Sequence, residues 1–94
     1  MITAFVLLSV RADSVHQVAE TLAALDGVAE VHSVAGRWDL VVVIRVRSNE
    51  ELADLVTERI RAVQGIERSE TLIGFKVVSR HDLDRMFAIG LEGG

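Results

Sequence analysis

Gly36, Arg37, Trp38 and Asp39 stand side by side, so a bare backbone, a guanidinium, an indole and a carboxylate fall within four residues. Read as chemistry, this is a loop tip equipped to recognise a small ligand, with two charges and one flat apolar surface. Read as structure, the glycine serves a tight turn and Trp38 plugs a sheet edge. The residue types alone leave both readings open. The other chemistry-bearing residues are scattered. His16, His32 and His81 lie in different segments without paired ligand spacing, whereas a zinc site needs donors converging to ~2.0–2.2 Å. They read as surface or partner-contact histidines, and no metal or cofactor is expected. Glu50 and Glu51 sit at a helix start, where acidic groups complement the helix dipole. Ser9, Ser33, Ser69 and Thr71 lack a nucleophile-elbow context and an assigned base. The glycines form neither a dinucleotide fingerprint nor a phosphate loop, and there is no cysteine. The expectation is that the protein is not an enzyme.

The remaining composition narrows the classes further. Ninety-four residues with 50% hydrophobic and 26% charged content describe one noncovalently held domain. A formal net charge of −4 gives no global attraction to nucleic acid. No apolar run approaches the ~20 residues of a membrane helix, and no basic leader precedes the first patterned segment. A cytoplasmic domain without membrane attachment is expected.

The elements that must carry the 36–39 cluster follow from periodicity. Residues 2–10 read as a strand, with Ile2, Ala4, Val6, Leu8 and Val10 on one face and Thr3, Phe5, Leu7 and Ser9 on the other. Ser14 and Gln17 have capping-box spacing, and Val15, Val18, Ala19, Leu22, Ala23 and Leu25 form a helical stripe that Gly27 should end as a left-handed C′ residue. A strand over 28–35 leads to the turn 35–38, where Gly36 suits a two-residue type II′ hairpin. A third strand spans 39–47. Ser48 and Glu51 repeat the capping box, Leu52, Leu55, Val56, Ile60 and Val63 form the second stripe, and Gly65 stops it. The last strand is predicted over 66–78, with Gly74 a bend or bulge. The domain thus covers residues 1–80. Residues 81–94 are expected to be a tail or a short helix, the helix running over 81–89 through Leu83, Met86, Phe87 and Ile89, with Gly90, Gly93 and Gly94 fraying.

Each half repeats strand, capped helix, glycine, strand. The order βαββαβ predicts an α+β, ferredoxin-like domain, a four-stranded antiparallel sheet with both helices on one face. The uncovered face then carries either Phe5 and Leu7 or Ile2, Val6 and Leu8, beside Val41 or Val42, depending on register. Such a surface marks an interface, and sheet-to-sheet homodimerisation into a dimeric α/β-barrel is the direct way to cover it. A monomer whose tail folds back through Leu83, Met86 and Phe87 is the alternative.

The stretch VAEVHSVAGRWDLVVVIRVRSNEELADLV, followed by IERSETLIGFKVV, resembles the effector-binding (RAM) domain of the Lrp/AsnC transcriptional regulators. The pattern is a strand, a G-x-x-D hairpin, an apolar strand, a helix, and a strand with an E-x-T-x-hydrophobic segment at 70–73, over about residues 2–80. The resemblance implies a domain that dimerises through its sheets, assembles into larger rings, and binds amino-acid effectors between dimers. Carried over by position, Gly36, Arg37, Trp38 and Asp39 match the hairpin, while Ser69 and Thr71 match the hydroxyl-bearing strand positions. Backbone N–H groups near Gly36 would receive an α-carboxylate and Asp39 an α-ammonium. Ser69 and Thr71 would add neutral hydrogen bonds and Trp38 an apolar wall.

Regulators of this family carry a helix-turn-helix domain ahead of this one, and this sequence begins at the first RAM strand. A stand-alone form is expected, without direct DNA contact, which senses an amino acid or co-assembles with full-length regulators. A small monooxygenase-like barrel enzyme and a purely structural partner domain are the competing readings.

Overall fold

The computed structural model describes residues 1–81. Its elements are β1 (Ile2–Val10), α1 (Val15–Ala23), β2 (Val28–Ser33), β3 (Leu40–Val46), α2 (Asn49–Asp54), a π-helical continuation of α2 (Leu55–Ile60), and β4 (Ile66–Ile73). The strands form one antiparallel sheet in the order β2-β3-β1-β4. The predicted βαββαβ architecture is therefore present, with β1 and β3 at the centre.

Pairing decides which face each residue meets, because side chains alternate and directly opposed residues share a side. Val6 stands opposite Val42 on β3 and Thr71 on β4, and Leu8 stands opposite Leu40 and Ser69. This face takes the helices: Ala4, Val6, Leu8, Leu40, Val42 and Ile44 are fully buried with Leu22 of α1, and Val18, Leu52, Leu55 and Ile60 complete one core. On the other face Phe5 stands opposite Val43 and Leu72, and Leu7 opposite Val41 and Glu70. Here Phe5 is 36% exposed and Leu72 47%. Of the two registers the sequence allows, the uncovered face is the one bearing Phe5 and Leu7. Among the described residues no helix is long and apolar enough to cross a membrane.

The two helix starts share a sequence signal but not an outcome. Ser48 Oγ accepts from the Glu51 N–H at 3.2 Å, and Glu51 Oε2 accepts from the Arg47 N–H at 3.0 Å. The second box therefore forms, reaching back one residue beyond the cap. At α1, Ser14 caps without a side-chain bond, since its hydroxyl donates to Asp13 Oδ1 at 3.0 Å. An adjacent carboxylate outcompetes the backbone amide there. α1 also ends earlier than the stripe implies, with its C-cap at Ala24. Gly27 (φ +94°) instead makes the turn into β2, where a Cβ would come within 3.0 Å of Val46.

Past Asp54 the second helix widens, and the Thr57 hydroxyl donates to the Ala53 carbonyl at 2.6 Å across the transition. Such back-bonding competes with the regular ladder. The outer strands are shorter than predicted. β2 stops at Ser33, and β4 stops at Ile73, where the Gly74 N–H donates to the Thr3 carbonyl at 2.7 Å. Past this bond Phe75, Val77 and Val78 are exposed and belong to no strand among the described residues. Phe75 is fully exposed. The expected tail helix over 81–89 lies, except for His81, outside the described residues, as do Gly90, Gly93 and Gly94.

Candidate functional site

The β2–β3 hairpin grows from two β strands whose inner positions are valine and leucine, and it projects the 36–39 cluster from the end of the sheet. Ser33 pairs with Leu40, and the Val34 N–H donates to the Asp39 carbonyl at 3.0 Å. Residues 35–38 therefore form a four-residue loop, wider than the two-residue turn the sequence predicts. Gly36 has φ +127°, and a Cβ placed there would meet nothing within 4 Å. Its glycine is required by backbone angle, not by space.

Asp39 ties this loop to the centre of the sheet. Its N–H donates to the Leu8 carbonyl at 2.8 Å, and its Oδ2 accepts from the Val10 N–H at 2.8 Å. The carboxylate continues the β1–β3 ladder past its last paired residues, so half of its hydrogen-bonding capacity serves the fold. Trp38 is half-buried, and the Arg68 guanidinium carbon lies 5.3 Å from its ring centroid. Arg68 stands opposite Ser9 and so shares the uncovered face with Phe5 and Leu7. Arg37 is exposed. The loop end thus sets the Arg68 guanidinium over the indole, with an apolar sheet surface alongside.

Ser69 and Thr71 are placed elsewhere. Opposite Leu8 and Val6 they turn to the helix-covered side of β4, away from Arg68. Ser69 borders a cleft there with Val56, Thr57 and Ile60 of the π-helical segment and Arg61 just after it. Within one chain, then, the hairpin residues come together, and the two hydroxyl residues do not join them. Arg68 was not among the residues the sequence singled out. Thirty positions separate it from Trp38, and only the β1–β4 register brings them together. The histidines stay apart: His16 Nε2 lies 2.6 Å from Glu20 Oε1, His32 Nε2 lies 3.6 Å from Glu30 Oε1, and His81 is exposed. Among the described residues no three His, Asp or Glu side chains converge as metal ligands would.

Comparison with known proteins identifies the family. The family model described as the Lrp/AsnC ligand binding domain matches residues 3–83. An uncharacterised HTH-type transcriptional regulator of Pyrococcus abyssi is 38% identical over 79 residues, which are 81% of this chain and 53% of the relative. The chain thus spans about half the length of the curated relatives it matches. A Thermus thermophilus protein of known crystal structure is 48% identical, with a TM-score of 0.80 over 85% of this chain and all of that one. The feast or famine regulatory protein of M. tuberculosis, solved in complex with L-methionine, is 26% identical, with a TM-score of 0.69 over 84% of this chain and 53% of that one. Sequence pattern, sheet topology and hairpin all lead to one conclusion: this chain belongs to the Lrp/AsnC family of transcriptional regulators, and residues 3–83 are its ligand-binding domain.

Proposed function

We propose that the domain is an amino-acid-sensing, oligomerising module of cytoplasmic transcriptional regulation or amino-acid metabolism, which takes its effector at the β2–β3 hairpin and assembles through the uncovered sheet face. The observation that carries this reading is the contact of Trp38, in the 36–39 loop, with Arg68 on the sheet face that also bears the exposed Phe5 and Leu72. The M. tuberculosis relative, solved with L-methionine, supports the ligand class. The open loop backbone at Gly36 receives the α-carboxylate. Asp39, bonded to Val10 through Oδ2, receives the α-ammonium on Oδ1. Trp38 supplies the wall for the side chain. Ser69 and Thr71 face away from the hairpin of their own chain, so in this reading they complete the site from another copy.

Assembly follows from the same surface. An exposed face bearing Phe5, Leu7, Val41 and Leu72 is covered most simply by its own two-fold image. Residues 3–83 match the ligand-binding part of the family, so in this reading they sense and assemble while DNA contact belongs to other parts or other chains.

Thermal-shift screening with the twenty L-amino acids at millimolar concentration tests the ligand. A binder at ten times its Kd adds about 1.4 kcal/mol, which raises the Tm of a domain this size by several degrees. No shift with any of the twenty overturns the sensing role. Sedimentation at micromolar concentration tests assembly: a dimer or larger species is expected, and a single 10.3 kDa species overturns it.

A further inference from the structure

We propose that Arg68 is the residue that recognises the negative charge of the effector, with Trp38 holding its guanidinium in place. The inference rests on the hairpin being the effector site, and it adds to the loop amides at Gly36 a charged partner for the same carboxylate, a side chain on β4 that no motif marks.

The argument begins with the stack. A guanidinium is planar, with its donors in the plane and its faces weakly hydrated. Arg68 lies 5.3 Å from the centroid of the Trp38 ring, within the range in which the ring quadrupole attracts a cation. That contact gives an otherwise exposed and flexible side chain one fixed neighbour. A cation–π contact uses the charge and none of the N–H donors, so the donors that pair with a carboxylate through two parallel bonds are not consumed by it.

The surroundings leave that edge for a ligand. The ion pairs among the described residues are Arg11 with Asp13, His16 with Glu20 and His32 with Glu30. Arg68 takes part in none of them, although Glu70 lies two residues along on the same side of β4. The carboxylate of the hairpin, Asp39, is turned to the Val10 N–H. Arg37, next to Trp38 in the loop, adds a second positive charge in a chain whose formal net charge is −4. The loop end is thus a local concentration of cationic donors around the only tryptophan of the sequence.

Backbone N–H groups at a loop donate to any acceptor, charged or neutral. A restrained guanidinium discriminates between them, because its bond to an ionised carboxylate is roughly twice as strong as a neutral one. Arg68 therefore sets the preference for a free α-carboxylate over an amide or an ester, whereas Trp38 and the sheet face set the preference for side chain.

The test compares each L-amino acid that binds with its own α-carboxamide, in the unaltered protein and in Arg68→Gln and Arg68→Lys. Binding is read from Trp38 fluorescence and, independently, by calorimetry. The unaltered protein should favour the acid over the carboxamide by about tenfold to a hundredfold, the range expected for one hydrogen bond to a charged group. Arg68→Gln should lose most of that ratio while binding the carboxamide unchanged. Arg68→Lys, which keeps the charge and loses the planar fork, should fall between. If Arg68→Gln weakens acid and carboxamide equally, Arg68 only props the hairpin and the proposal is overturned, while the effector site itself stands. If the unaltered protein binds none of the twenty amino acids, the effector site and this assignment fall together.

Discussion

The two sides of β1 differ in what they are for. Ala4, Val6 and Leu8 are fully buried under the helices, while Phe5, one residue away from either neighbour, is 36% exposed. Both sides are apolar, so hydropathy alone cannot tell them apart. Only the pairing with β3 and β4 does, by lining up the even positions with Val42, Ile44 and Leu40. The covered side is spent on stability within one chain. The open side is left partly exposed within one chain, and in the proposed reading its apolar character serves contact between molecules.

The largest test of this contrast is Leu8→Ala. The residue is fully buried, so a loss of about 3 kcal/mol is expected in chemical denaturation, with the cavity term adding to lost transfer energy. A cost under 1 kcal/mol would mean that the helix-side core is not what holds the chain together. Phe5→Glu probes the other side. Placing like charges across a two-fold interface should weaken self-association by about a hundredfold, seen in sedimentation, with the circular dichroism spectrum of the fold retained. Retention of the full assembly would show that this face is not the interface.

Smaller effects sharpen the comparison where the two sides meet at the hairpin. Asp39→Ala removes the acceptor of the Val10 N–H and should cost about 2 kcal/mol in thermal denaturation. Asp39→Asn, which keeps an acceptor oxygen, should restore most of it. Loss of effector binding in Asp39→Asn with stability recovered would separate the ligand role of the charge from its structural one. Smaller again, Ser48→Ala should cost about 1 kcal/mol. Ser14→Ala should cost no more than a few tenths, because that hydroxyl bonds Asp13 instead of the helix. Equal costs at the two caps would contradict the geometry described.

These contrasts also show how far the residues could be read unaided. Element order, the alternation along β1, the glycine of the hairpin and the Ser48 cap all follow from local patterns, and local patterns are what a sequence displays. What escaped depends on residues distant along the chain or on competition between neighbours. The Ser14 box fails because Asp13 is the nearer acceptor. β4 ends at Ile73, and the last bond it makes to β1 is from the Gly74 N–H to the Thr3 carbonyl. Asp39 looked like a ligand group, yet one of its oxygens is committed to Val10. Arg68 belongs to no motif, and only the register sets it beside Trp38. Ser69 and Thr71 were named through family resemblance, and their face of β4 became readable only once Leu8 and Val6 were found opposite them.

Because β1 sits between β3 and β4, the earliest strand in sequence acquires its final neighbour only when the latest one arrives. Phe5 and Leu72 are partners separated by most of the described chain, so this closure carries a loop-entropy cost that the local β2–β3 hairpin does not. A nascent or partly unfolded chain would hold a formed hairpin with the inner edge of β3 unpaired. That edge offers the same template to the β1 of a neighbouring molecule as to its own. Strand exchange between copies is therefore the misassembly to which this topology is most open, and crowded synthesis of the protein should favour it.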